Sequence, residues 1–594
     1  MRNLWVMAVV LAASTASAQQ SADSVAPEAA TAGGNSGLSA PVVAALAAKE
    51  NGLPVRAERW MVAVANPLAA QAGADILWAG GTAADAMIAV QTVLGLVEPQ
   101  SSGLGGGAFL VWYDAATKKL TTLDGRETAP LAVTPQLFQD EDGEPLRFFD
   151  AVVGGRSVGT PGTPALMGEA YRRWGRMPWP WLFGHAITLG DQGFAVSPRL
   201  AGLIERDAER LMRFPTTSEY FLPGGKALQA GDQLRNRDYA DTLRVLAMRG
   251  PDGFYTGTIA RDIVRTVNTA PGNPGVLSTM DLALYQIRER PPVCVDYRAY
   301  RVCGMGPPSS GALSVGQILG VLNNFDLGAL DAESAEAWRL IGDASRLAFA
   351  DRGRYMADSD YVPMPTKGLV DPDYLATRAE LLQGDMALEQ VAPGSPEFDH
   401  AQVFADDASI ELPSTSHISI VDSYGNVLSM TTTVENAFGS RLMVRGFLLN
   451  NELTDFSFRT HRDGVPIANR VEPGKRPRSS MSPTIVMLDG APVLAIGSPG
   501  GSRIIPYVAN AIIGWVDWGL DVQQAVAMAH AVNRFGTYDL EAGTAAEDLA
   551  PALEALGYEV KTRDLNSGLH AIAISADGLQ GGADPRREGI ALGK

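Results

Sequence analysis

The stretch TSHISIVDSYGNVLSMTTT, Thr415 to Thr433, decides how the chain is read. Thr415 to Asp422 and Asn426 to Thr433 both alternate in character, and Ser423, Tyr424 and Gly425 turn the chain between them, which predicts a β-hairpin. Asp406 to Ser414 just upstream is polar, acidic and loop-like, so Thr415 stands where a loop enters an amphipathic strand. Downstream, Thr484 to Leu488 and Pro492 to Ile496 flank Asp489 and Gly490, a strong two-residue turn signal, and the second strand runs into GSPGG at 497–501. Ser502 reads as the cap of an apolar helix reaching about Trp518, Asp521 as the cap of another through about Val532, and His570 to Ser575 as a late strand.

Toward the N-terminus, Asn66 and Pro67 form a cap and first-turn pair for a helix ending at Gly80 and Gly81. Thr82, with Asp85 three residues on, opens a second helix through about Val97. GLGGG at 103–107 then leads into a buried strand, Ala108 to Tyr113, with Lys119 to Asp124 as its hairpin partner, and residues 160–390 read mainly as helices. Strands followed by paired helices indicate a layered α/β fold. Two familiar patterns are set aside. GLGGGA at 103–108 follows a helix and precedes a strand, the reverse of the order that binds a dinucleotide. GRSVG around Ser157 is followed by TPGTP, which bars the immediate helix that a nucleophile elbow needs.

Composition narrows the classes. With 594 residues, 46% hydrophobic and 19% charged, the chain is a large globular protein rather than a disordered or coiled-coil one. A formal charge of -18 and the lack of a basic run argue against nucleic acid as a partner. His185, His400, His417, His461, His530 and His570 are scattered without metal-ligand spacing, so neither a metal nor a cofactor is expected. Arg2, the apolar run Leu4 to Ala13 and the small residues Ala16, Ser17 and Ala18 read as a signal peptide over residues 1–18, too short for a membrane span. The expected location is therefore periplasmic or extracellular. Residues 19–55, rich in Ala, Ser and Gly, read as a flexible leader. Cys294 and Cys303 could staple a hairpin or remain two buried thiols, and both readings stay open.

A strand threonine is ordinary by itself. Thr415, however, is followed by TTTVENAFG with Thr433 and Glu435, LLNNELTDF with Glu452 and Asp455, RSSMSP with Ser479 and Ser480, and GSPGGSR with Gly500 and Gly501. Together with EPQSSGLGGG (98–107), DGRETAP (124–130), PPSSG (307–311) and ADPR (583–586), these motifs make the chain from about Trp60 onward resemble the gamma-glutamyltranspeptidase (glutathione hydrolase) family of N-terminal nucleophile hydrolases.

That resemblance implies a four-layer αββα sandwich built from two intertwined fragments, a large one over 56–414 and a small one over 415–594, made by scission between Ser414 and Thr415. The chemistry is consistent with it. A threonine hydroxyl needs an adjacent base, and a chain that begins with Thr carries one as its own α-amine, which titrates at about 7.7–8.0 in peptides. By resemblance, Thr415 attacks the γ-carbonyl of glutathione or another γ-glutamyl donor, and water or an amino-acid or dipeptide acceptor resolves the acyl-enzyme. Thr433 orients the hydroxyl, and the N–H groups of Gly500 and Gly501 receive the oxyanion. Arg126 with Ser479 and Ser480 clamps the donor α-carboxylate, while Glu435, Glu452 and Asp455 face its α-ammonium.

Two departures stand out. Many members carry Asn where Glu435 stands and Gln where Glu452 stands. The segment from Asp455 to Ser479, which in some members carries a gating tyrosine, is shorter here and has no Tyr, favouring hydrolysis over transfer. The rival readings are a glutaryl-type β-lactam acylase of the same family, whose acyl group lacks the amine that three acids would serve, and an uncleaved, non-catalytic scaffold.

Overall fold

The computed structural model describes residues 38–407, 409, 411–412 and 414–594; the expected signal peptide and the first part of the leader lie outside them. Among these residues, two seven-stranded antiparallel sheets form the centre. One is ordered Ile590–Gly593, Met61–Val64, Ser416–Val421, Val427–Thr433, Gly107–Asp114, Lys119–Gly125 and Arg288–Arg290. The other is ordered Val55–Ala57, Gly578–Ala583, His570–Ser575, Ala491–Gly497, Thr484–Leu488, Tyr300–Gly304 and Val293–Tyr297. Each sheet takes strands from both sides of the Ser414–Thr415 bond.

Three apolar clusters show how the layers stack. Met61, Val111, Val421, Val427, Ile485 and Ile572 meet between the sheets. Ile418, Ile420, Leu428 and Met430 face outward onto helices Pro67–Trp78 and Ala83–Val97, joining Ile76, Ile88 and Val93. On the far side, Val486, Leu494 and Ile496 pack with Ile318, Leu319 and Ile512 of helices Gly311–Leu322 and Ile504–Val516. The result is the expected αββα sandwich. The alternation read in TSHISIVD does not separate core from water, since every residue of Ser416–Val421 is buried. It separates two buried layers, with isoleucines toward the helices and His417 and Ser419 facing the opposite sheet, where Ser419 Oγ lies 3.3 Å from the His570 carbonyl.

Local signals account for the flanking helices. The Asn66 side chain accepts from the Leu68 N–H at 2.9 Å, and Thr82 and Asp85 form a reciprocal capping box. The two helices pack closely at Gly73, where a Cβ would sit 2.7 Å from Val90. GLGGG is a tightly packed turn, because a Cβ on Gly106 would come within 1.9 Å of the Thr433 carbonyl oxygen. Cys294 and Cys303 face each other across the hairpin of Val293–Tyr297 and Tyr300–Gly304 and are disulfide-bonded.

Three expectations need correction. The leader is not unstructured through residue 55: Ala40–Glu50 is a helix with Val42 and Ala45 buried, and Lys49 Nζ donates to the carbonyls of Arg587 and Gly589, both at 2.7 Å. Its alanine-rich sequence carries too little hydrophobic contrast to show a period. Ser502 does not cap a helix but lies in the 3-10 turn Gly501–Arg503 that precedes Ile504–Val516, and its hydroxyl accepts from Arg534. Asp521 caps only Val522–Ala527, after which Ala531–Asn533 forms a strand against Thr537–Glu541. No helix among the described residues is long and apolar enough to cross a membrane.

Candidate active site

Thr415 immediately precedes one strand of the central hairpin and Thr433 ends the other; the register pairs Ser416 with Thr432. That register brings the two hydroxyls together, with Thr415 Oγ1 donating to Thr433 Oγ1 at 3.1 Å. Thr433 Oγ1 also accepts from the Glu435 N–H at 2.8 Å, so the turn after the strand fixes the second hydroxyl. Thr415 has φ 131°, a region that β-branched residues avoid, at a cost of about 1–3 kcal/mol. The strain lies on the residue whose preceding bond is the expected scission point. Ser414 is buried beside it, its hydroxyl donating to the Gln100 carbonyl at 2.8 Å.

Thr415 and Thr433 open onto a small, partly open cavity. Arg126, Glu435, Glu452 and Asp455 line it, as do Ser479, Ser480 and Gly501. Gly500 is not on the lining; it sits behind Gly501 with φ 138°, where a Cβ would meet the Tyr507 ring at 2.9 Å. At Gly501, φ 57°, a Cβ would lie 2.9 Å from the Leu412 carbonyl, so this turn abuts the segment leading to Thr415.

The charges are not arranged as expected. Arg126 follows strand Lys119–Gly125, and its buried guanidinium meets the 3-10 turn Glu452–Asp455, forming ion pairs with Glu452 and Asp455. Its Nε donates to the Pro477 carbonyl at 3.2 Å and one Nη to the Arg478 carbonyl at 2.8 Å. The arginine and the acids, expected at opposite ends of a donor, form one cluster because the strand end and the turn converge. Burial pushes Glu435 well above the ordinary carboxylate range, and the charges of Asp455 and Glu452 add to it. Burial likewise raises Asp455 despite Arg126, and raises Glu127, which lies against Glu452. Asp455 Oδ1 has no hydrogen-bond partner among the described residues. An acid-rich wall with unmet acceptor capacity suits a cationic group.

A second cluster escaped the sequence reading. Glu411 accepts from Arg352 and Ser480, while Arg478 lies 3.7 Å from Glu411 and 2.9 Å from Asp407. Burial opposes the Glu411 charge, yet Arg352 and Arg478 outweigh it and hold the carboxyl below its usual range. Arg352 comes from the last turn of helix Ala335–Tyr355, and Glu411 sits four residues before Thr415 in the segment read only as an acidic loop. Behind Thr415, Arg587 donates to its carbonyl at 3.2 Å, and Ser416 Oγ donates at 3.0 Å to Glu98, whose carboxyl burial pushes up to about 8.

Comparison with known proteins identifies the family. The sequence profile of the family described as Gamma-glutamyltranspeptidase matches residues 69–594. The chain is 37% identical over 546 residues to the glutathione hydrolase proenzyme of Bacillus subtilis strain 168, covering 90% of this chain and 91% of that one. It is 34% identical over 538 residues to the acylase ACY 1 proenzyme of a Pseudomonas species, strain SE83, covering 89% and 92%. Among solved structures it is similar to a cephalosporin acylase from Bacillus halodurans, with a TM-score of 0.80 and 27% identity over 91% of this chain and 97% of that one.

Proposed function

Since this chain belongs to the gamma-glutamyltranspeptidase family, and is thus an enzyme of hydrolase or transferase type, we propose that it is an exported, self-cleaving γ-glutamyl hydrolase acting on glutathione and related donors. The observation that carries the reading is Thr415: its hydroxyl is 3.1 Å from that of Thr433, its backbone is strained at φ 131°, and it opens onto the acid-walled cavity.

Maturation begins when Thr415 Oγ1 attacks the Ser414 carbonyl carbon. A C–O bond forms, the Ser414–Thr415 C–N bond breaks, and the freed nitrogen takes up a proton. Water opens the ester, giving a large fragment that ends in a Ser414 carboxylate and a small one, 415–594, that begins with the Thr415 amine. In turnover that amine accepts the hydroxyl proton as Thr415 attacks the donor γ-carbonyl, then passes it to the leaving amine. Gly500 and Gly501 supply the N–H groups for the oxyanion, and Thr433 keeps the hydroxyl in line. Glu435, Glu452 and Asp455 receive the α-ammonium, and Arg126 with Ser479 and Ser480 serves the α-carboxylate. Water resolves the acyl-enzyme more often than an amino-acid or dipeptide acceptor does, because the segment after Asp455 is short and lacks a tyrosine.

The acylase names among the relatives keep a glutaryl donor as a second reading. The acid-rich wall favours the amine-bearing group. N-terminal sequencing of the purified protein should give a small fragment beginning Thr-Ser-His, and γ-glutamyl-p-nitroanilide should be cleaved in preference to glutaryl-p-nitroanilide. Thr415→Ala should yield one uncut, inactive chain; normal processing of that variant overturns the assignment.

A further inference from the structure

Behind Thr415, on the side away from the cavity, the backbone is held from a part of the chain that the family profile leaves out. The profile begins at residue 69, and helix Ala40–Glu50 lies before it. Val42 and Ala45 bury one side of this helix in the same apolar cluster as Trp60, Val62, Ile590 and Leu592. Its last turn carries Lys49, whose ammonium donates at 2.7 Å to the Arg587 carbonyl and at 2.7 Å to the Gly589 carbonyl.

Two charge-assisted bonds to carbonyls so close in sequence fix the path of the loop at 587–589. The loop has little room for another path: a Cβ on Gly589 would lie 2.1 Å from His570 Nε2 and 2.7 Å from the Val64 carbonyl oxygen. Arg587 leaves the loop as a buried side chain, its stem against Gly568, where a Cβ would meet Arg587 Cδ at 2.7 Å. At its head, Nε donates to Asn566 Oδ1 at 2.9 Å and one Nη to the Thr415 carbonyl at 3.2 Å. Helix, loop and guanidinium form one continuous chain of contacts from Lys49 to the backbone of Thr415.

That backbone needs holding. Thr415 keeps a φ of 131°, and so sparsely populated a conformation persists only where the surroundings over-determine it. The Arg587 bond restrains the peptide plane that follows Thr415, while Ser416 Oγ, donating to Glu98 at 3.0 Å, fixes the next residue. Lys49 and Arg587 are not among the residues lining the cavity. Loosening them shifts the Thr415 hydroxyl relative to Thr433 and leaves the walls that meet the donor as they are.

We propose that Lys49 and Arg587 are positioning residues for the nucleophile: helix Ala40–Glu50 sets the 587–589 loop through Lys49, and Arg587 carries that setting to the Thr415 carbonyl. This rests on reading Thr415 as the nucleophile. A stretch outside the family profile thereby takes part in turnover without touching the donor.

The test is kinetic, on the matured full-length protein with γ-glutamyl-p-nitroanilide. Lys49→Met should lower kcat about ten- to a hundredfold, the scale on which a small misplacement of a reacting group acts, with KM within about twofold of the wild type. Lys49→Arg, which keeps donors for both carbonyls, should recover most of that loss. Arg587→Gln should show the same split between kcat and KM, and the double variant should be no slower than Arg587→Gln alone, because the two residues act in series. Losses that multiply, a loss confined to KM, or a Lys49→Arg no better than Lys49→Met overturns the proposal. Val42→Ala separates position from stability: it should lower the Tm and keep kcat, and a matching loss of kcat there makes the role of the helix structural only and overturns the proposal. Should Lys49→Met fail to fold or to be cut, Asn566→Ala decides, since it frees Arg587 without touching the helix. A fall in kcat at constant KM then supports the proposal, and an unchanged kcat overturns it. A wild-type protein that is never cut, or a Thr415→Ala variant that is, defeats the functional reading instead; a wild type that matures and turns over the donor while Lys49→Met keeps its kcat defeats the positioning role alone.

Discussion

The two charged ends of the cavity are built from the same residue types and behave in opposite ways. Around Arg126, Glu452 and Asp455 pair with one guanidinium while Glu127 and Glu435 crowd the same acids, and burial drives Glu435, Asp455 and Glu127 above the ordinary carboxylate range. Around Glu411, two guanidinium groups more than offset burial and hold the carboxyl below that range. Depth does not separate them, since both are buried. The ratio of cations to acids does, and it leaves protons available at one end while fixing charge at the other.

The strongest way to break this comparison is to remove the cation from the acid-rich end. Arg126→Met should lower kcat/KM for a γ-glutamyl donor about a thousandfold and destabilise the fold by about 3–5 kcal/mol, the range for a buried charge that loses its partner. Steady-state kinetics and thermal unfolding together check it, and a loss below about 1 kcal/mol would mean the carboxyls neutralise one another without the arginine.

At the basic end, Glu411→Gln in an uncut Thr415→Ala background should cost about 3 kcal/mol at neutral pH. Because the folded carboxyl titrates below its unfolded value, its contribution is full above the ordinary carboxylate range and is lost as pH falls through the depressed value. The gap between the two uncut chains should therefore close in acid.

The smallest effect has the reverse sign. Glu435 titrates above its unfolded value, so the native state binds the extra proton and stability falls as pH rises from the ordinary carboxylate range toward the raised one. Glu435→Gln should therefore stabilise the protein by about 1–2 kcal/mol at pH 8 and by almost nothing near pH 4. A destabilised variant at pH 8 would place the Glu435 charge in a satisfied rather than a strained position.

Local chemistry made much of this legible. The hairpins at 416–433 and 484–497 and the capped helices at 67–97 follow from alternation, turn residues and side-chain caps, all of which act over a few residues. What the sequence hid was long-range or low in contrast. The pairing of Ile590–Gly593 with Met61–Val64 has no local signature, and the helix Ala40–Glu50 has too little apolar contrast to show its period. Motif resemblance singled out the residues that line the cavity but not their partners. Arg126 was expected to stand apart from Glu452 and Asp455, and only the meeting of a strand end with a distant turn pairs them. Arg352 and Glu411 lie 59 positions apart, and neither carries a motif of its own.

Strands from both sides of the Ser414–Thr415 bond are interleaved in each sheet: Ser416–Val421 lies between Met61–Val64 and Val427–Thr433, and Thr484–Leu488 between Ala491–Gly497 and Tyr300–Gly304. Were the backbone severed there, neither piece would keep a complete sheet, so pulling them apart would mean tearing ladders in both at once. Such a cut would act as a ratchet in the molecule's life. The pair would travel as a single body under native conditions, and mixing the separately denatured pieces should not rebuild it with the ease of the continuous chain.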